Sequence, residues 1–122
     1  MSFSLIILAG GNSHRFRSKV GKPYQKIAGK SLIEININKA RKIKEIKKII
    51  VVYNKKDFNR INSLKLKNVK FIVGGKNRQQ SAFNALKYLI KNKGFSKVLI
   101  HDVARPNFSL KLLNKIIQKE KR

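Results

Sequence analysis

Four short apolar runs, at residues 3–8, 48–53, 69–73 and 97–100, divide the chain, and each is followed in time by a segment with apolar residues at helical spacing. Runs of that length without helical caps suit strands buried on both faces of a parallel sheet. After the first run, Ser31 and Glu34 have capping-box spacing, and Ile33, Ile37, Ala40 and Ile43 recur at helical intervals. Asp57 is placed to cap a short helix through Ile61 that turns Phe58 and Ile61 inward. The run at 69–73 closes on Gly74 and Gly75, and Asn77 then stands where an N-cap belongs. Ala82, Phe83, Leu86, Leu89 and Ile90 read as one apolar face of a helix that Gly94 stops. Leu110, Leu113, Ile116 and Ile117 make the face of a last helix. Strands alternating with helices predict an α/β fold: a doubly wound, mostly parallel sheet with right-handed crossovers and helices on both faces.

In such sheets ligands bind at the carboxyl ends of the strands. Three segments fall there: the loop at Gly10, the Gly74-Gly75 turn, and His101-Asp102. A chain of 122 residues, 42% apolar, is enough for one core, so residues 1–122 are read as part of a single domain. Thirty Lys and Arg against five acids give a net charge of +25, which points towards an anionic partner. The cations are spread over nearly every segment, with no basic stripe interleaved with aromatics, so no nucleic-acid partner is expected. Without cysteine there is no disulfide framework, thiol nucleophile or zinc cluster. Residues 1–8 are too short and lack the basic leader of a signal peptide, and no apolar run approaches the roughly 20 residues that span a bilayer. The expectation is a cytoplasmic protein with no membrane partner.

The stretch 8–22, LAGGNSHRFRSKVGK, leaves the first strand through small residues and then cations. Free backbone N–H groups and positive charge at one point suit a polyphosphate. About twenty residues separate the first strand from Ser31. Typical βα loops run about two to six residues, and much longer ones are usually functional. Arg15 and Lys22 have a role available there, because attack on an α-phosphate concentrates charge that fixed cations stabilise most in the transition state. The bland reading is a tight connection carrying solvated charge, which is how His14, Arg17 and Lys19 are read.

In the stretch 74–81, GGKNRQQS, a strand-ending turn and an N-cap explain Gly74, Gly75 and Asn77 without a ligand. Ser81 is left over, and its hydroxyl in the first helical turn could read the edge of a base. In HDVARP, at 101–106, Asp102 stands apart from Glu34, Glu45, Asp57 and Glu120, which are read as lying on helices or their caps. A lone carboxylate at a strand end in so basic a chain suggests magnesium or a substrate hydroxyl. The alternative is an Asp102 to Arg105 turn pair closed by Pro106.

LAGGNSHRF with GKPYQKIAGKSLIE, then GGKNRQQSAFNAL, then VLIHDVARP resemble, in this order, the N-terminal half of the 2-C-methyl-D-erythritol 4-phosphate cytidylyltransferases of the non-mevalonate isoprenoid pathway. Relatives acting on sugar phosphates share the opening loop but usually lack H-D-x-A-R-P. The resemblance implies a Rossmann-like nucleotidyltransferase fold, incomplete at its C-terminus. It implies transfer of CMP from CTP to methylerythritol phosphate with release of pyrophosphate, and a divalent cation, Mg2+. Arg15 and Lys22 would be the catalytic cations. Ala9, Gly10, Gly11, Gly75 and Ser81 would surround the cytidine, and Asp102 and Arg105 would lie near methylerythritol phosphate or the metal. A homodimer is implied for the full-length protein, and this chain alone is expected to be inactive. Ser13 stands where the family has a second loop glycine, and G-K-P-Y replaces P-K-Q-Y around Lys22. Two other readings stay open: the same fold with another sugar or polyol phosphate as acceptor, and a non-catalytic basic module that binds nucleotides or nucleic acid.

Overall fold

The computed structural model describes residues 3–9, 26–27, 30–92 and 97–102. Strand β1 (Phe3–Ala9) is buried at all seven positions, as a strand without a single charged residue must be if helices cover both its faces. Two strands flank it, both parallel to it: β4 (Ile46–Tyr53) on one side and β6 (Lys97–Asp102) on the other. A shorter strand, β5 (Lys70–Val73), adds to the far side of β4, again parallel, giving the order β5-β4-β1-β6. The order of the chain reverses at β1, so a switch point lies between β1 and β6.

Alternation along β1 and β4 sorts the core into two layers. Leu5, Ile7, Ala9, Ile49, Val51 and Tyr53 face α1 (Leu32–Arg41), which contributes Ile33, Ile37 and Ala40, and α2 (Phe58–Ser63), which contributes Ile61. Ile6, Leu8, Ile50 and Val52 face α3 (Arg78–Lys91), which contributes Ala85 and Leu89. Leu5, Ile6, Ile7 and Ile50 are fully buried. Each such side chain contributes about 1.5–3 kcal/mol, so the central pair of strands supplies much of the folding drive. The predicted doubly wound parallel sheet with helices on both faces is therefore what is observed.

Local signals set the helix starts. The Ser31 hydroxyl accepts from the Glu34 N–H while the Glu34 carboxylate accepts from the Ser31 N–H, the full capping box. Asn77 caps α3 by accepting from the Gln80 N–H at 2.8 Å.

Several expectations need correcting. Asp57 makes no capping bond; Asn54 caps the 3-10 turn Lys55–Asp57 that leads into α2, and Asp57 pairs instead with Arg60 at 3.8 Å. Phe58 is 53% exposed and leans its ring towards Tyr53, so only Ile61 points fully inward. On α3 the buried face is Ser81, Ala85 and Leu89, with Ala82 and Leu86 at its margin, while Phe83 and Ile90 are exposed. Small residues at 81 and 85 let the helix come close to the sheet, and Asn84 donates to the Val73 carbonyl, which sets the helix's rotation. Glu45 is not on a helix; it lies in the turn before β4, is buried, and its carbonyl accepts from the Phe3 N–H at 2.8 Å. The long stretch before Ser31 contains a two-stranded antiparallel pair, β2 (Lys26–Ile27) with β3 (Lys30–Ser31), that the sequence reading did not anticipate. Gly94 and the expected last helix lie outside the described residues. Among the described residues no helix is long and apolar enough to cross a membrane.

Candidate active site

Because all strands of the sheet run in one direction, their carboxyl ends make a common edge. Val73, Tyr53 and Ala9 stand in one row of the sheet, and Asp102 stands opposite Leu8, a single step earlier. The strands thus finish within one residue of each other. Ala9 at the end of β1 is buried and packs beneath this edge.

The turn after β5 is fastened at several points. The Gly74 N–H donates to the Tyr53 carbonyl at 2.7 Å. Next, the Gly75 N–H donates to the Ser81 hydroxyl at 3.0 Å, and the Lys76 N–H to the Gln80 side-chain oxygen at 3.1 Å. Gly74 has little room: a Cβ there would lie 2.8 Å from Ser81 Oγ and 3.3 Å from Val52 Cγ1. Ser81 is buried at 8% exposure, and its oxygen accepts from the Gly75 N–H, which leaves the hydroxyl proton and a second lone pair with which to meet a ligand.

Asp102, the carboxylate that ends β6, receives the Arg78 Nε–H on both oxygens, at 3.2 and 3.3 Å. The described geometry thus pairs it with Arg78, whereas Arg105 lies outside the described residues. Arg78 is the residue that sequence reasoning passed over. A signal was present: a cation in the first turn of a helix opposes the helix dipole by about 0.3–1 kcal/mol. The first turn of α3 has no acid to offset it. Such a residue needs an acceptor from elsewhere, and β6 supplies it. Among the described residues no three His, Cys, Asp or Glu side chains gather as a metal cage would need. A magnesium ion held mainly by nucleotide phosphates needs only one or two protein carboxylates, and Asp102 fits that requirement.

Of the residues singled out in the sequence, the structure brings Ala9, Gly75, Ser81 and Asp102 to the carboxyl edge. Gly10, Gly11, Arg15, Lys22 and Arg105 lie outside the described residues.

Known proteins resemble this chain in both sequence and fold. The family model described as IspD, 2-C-methyl-D-erythritol 4-phosphate cytidylyltransferase, matches residues 3–122. The chain is 51% identical over 121 residues to a bifunctional enzyme IspD/IspF of Pelagibacter ubique, covering 99% of this chain and 32% of that protein. It is 36% identical to a 2-C-methyl-D-erythritol 4-phosphate cytidylyltransferase of Wigglesworthia glossinidia brevipalpis, covering 93% of this chain and 49% of that one. In three dimensions it resembles the 4-diphosphocytidyl-2C-methyl-D-erythritol synthase of Anaerococcus prevotii, with a TM-score of 0.79 at 30% identity, over 99% of this chain and 51% of the other. The chain therefore spans about half or less of the length of these relatives. With the match running from the first strand through the whole carboxyl edge, the chain belongs to the IspD family, the 2-C-methyl-D-erythritol 4-phosphate cytidylyltransferases.

Proposed function

We propose that this chain carries the nucleotide-binding part of an enzyme that transfers CMP from CTP to 2-C-methyl-D-erythritol 4-phosphate in isoprenoid precursor synthesis. The observation that carries the reading is the shared carboxyl edge, where Ala9, the Gly75–Ser81 turn and Asp102 meet in a chain of the IspD family. In the reaction a phosphate oxygen of the acceptor attacks the CTP α-phosphorus, and the bond from that phosphorus to the pyrophosphate oxygen breaks. Backbone at Ala9, Gly10 and Gly11 would lie against the nucleotide, where small residues allow close approach. The Ser81 hydroxyl, already oriented by the Gly75 N–H, would donate its proton to an acceptor on the cytosine edge. Arg15 and Lys22 would stabilise charge on the phosphoryl oxygens and the departing pyrophosphate. Asp102, with Arg105, would face the acceptor's hydroxyls. When magnesium accompanies CTP, Asp102 is the described carboxylate that would hold it, and the ion would neutralise phosphate charge. A nucleoside triphosphate and a phosphorylated polyol as substrates fit a cytoplasmic setting, and a homodimer is the assembly the family resemblance favours.

The test is a pyrophosphate-release assay with CTP, magnesium and methylerythritol phosphate on the chain extended to the length of its relatives. Saturable release that prefers CTP over ATP at fixed salt supports the reading. No CTP-dependent release would overturn it, and binding to nucleic acid that falls steeply with salt would favour a basic binding module instead.

A further inference from the structure

Strands β5 and β6 are the two edges of the described sheet, with β4 and β1 between them. Helix α3 starts just beyond β5, yet its first residue, Arg78, reaches the carboxylate that ends β6. The contact spans the carboxyl edge and joins its two sides. On the Arg78 side the chain is already fixed, because the turn entering α3 is held by the bonds of Gly75 to Ser81, Lys76 to Gln80, and Gln80 to Asn77.

We propose that Arg78 is a positioning residue for the transfer reaction: it clamps Asp102 in one orientation relative to the nucleotide-side turn. The inference rests on the cytidylyltransferase reading. The Nε–H is shared by both oxygens of Asp102 in a charge-assisted bond, so the carboxylate turns its two oxygens towards the guanidinium. The planar guanidinium gives this orientation, which a lysine ammonium would supply only as a point charge. The Arg78 side chain is 58% exposed and that of Asp102 27%. Ion pairs so exposed contribute little to folding, so the value of this one lies in geometry. Misplacing a reacting or orienting group by about 1 Å is costly in rate even where binding survives.

The experiment compares R78M, R78K, D102N and the R78M/D102N double variant with the unmodified enzyme, all at the length of its relatives. It measures kcat, the KM for each substrate, and Tm. R78M should lower kcat by roughly tenfold or more, with CTP KM little changed and Tm nearly unmoved. R78K should recover part of the loss. The double variant should be no slower than D102N, since a clamp has no purpose without the group it clamps. Losses that multiply in the double variant, or an unchanged kcat in R78M, would overturn the clamp. A fall in Tm with proportionate loss of all activity would assign Arg78 a merely structural role and also overturn it. Absence of CTP-dependent transfer in the unmodified enzyme would instead overturn the cytidylyltransferase reading, and this shows before any variant is compared.

Discussion

The Ser81 hydroxyl accepts the backbone N–H of Gly75 at 3.0 Å, so the first turn of α3 holds the glycine turn that precedes it. The same oxygen would lie 2.8 Å from a Cβ placed on Gly74. One buried hydroxyl therefore fixes the turn's path and sets how small its first residue must be. It links the packing of α3 against the sheet to the shape of the carboxyl edge.

Replacing Ser81 with Ala should destabilise the fold by about 0.5–1.5 kcal/mol, because the Gly75 N–H loses its part-buried bond to the hydroxyl. CTP affinity should fall as well, since the turn loosens and the donor towards the base is lost. Chemical denaturation and calorimetry with CTP check the two effects separately. Full retention of CTP affinity would remove Ser81 from the nucleotide site.

A Gly74→Ala substitution should cost about 1–3 kcal/mol through crowding against Ser81 and Val52. The Gly74 N–H bond to Tyr53 at 2.7 Å limits how far the backbone can withdraw. Gly75 is a poorer probe of the base site than the sequence suggests. A Cβ there would meet the Gln80 side chain, including its Cβ at 2.6 Å, so a Gly75→Val variant disturbs α3 whether or not a base is bound. Thermal unfolding of Gly74→Ala beside Gly75→Ala compares the two positions.

Ser31→Ala removes the hydroxyl that caps α1 and should cost about 1 kcal/mol. The Glu34 N–H would lose its acceptor, and the Glu34 carboxylate would lose the hydroxyl it meets at 3.0 Å. Ser31→Thr should retain most of the stability, because it keeps the hydroxyl that both accepts from the Glu34 N–H and donates to the Glu34 carboxylate. Unchanged Tm in Ser31→Ala would show that tertiary packing of Ile33, Ile37 and Ala40 alone holds the helix.

Lys22→Ala, in the chain at the length of its relatives, should lower kcat far more than it weakens CTP binding. A cation matched to charge that develops at the transition state acts chiefly on turnover. Steady-state kinetics decide the matter: a raised KM with unchanged kcat would make Lys22 a ground-state phosphate ligand.

The local structure around the carboxyl edge was partly legible in the sequence. The capping box at Ser31 and Glu34 and the N-cap at Asn77 involve residues three apart, so sequence spacing reads them directly. Gly75 and Ser81 were both singled out, but their hydrogen bond to each other was not, because a base reader and a turn brace look alike as a serine in a first helical turn. Arg78 was passed over, since its partner lies 24 residues away on the opposite edge of the sheet. Phe83 and Ile90 fall in the expected core because they continue the apolar run around Leu86 and Leu89, but at 3.6 residues per turn that stripe is centred about 100° from the observed Ser81, Ala85 and Leu89 stripe, and packing against the sheet selects the latter.

By itself the sequence determined the alternation of strands and helices, the burial of β1, and the starts of α1 and α3, because these depend on periodicity and on side chains reaching nearby backbone. Only the tertiary structure decided the order β5-β4-β1-β6, the single row formed by Val73, Tyr53 and Ala9, and the pairing of Arg78 with Asp102. Strand neighbours are chosen by which apolar surfaces close together in space, and a parallel neighbour is separated along the chain by a whole crossover. Local pattern therefore specifies the pieces, and long-range packing brings Asp102 within reach of Arg78.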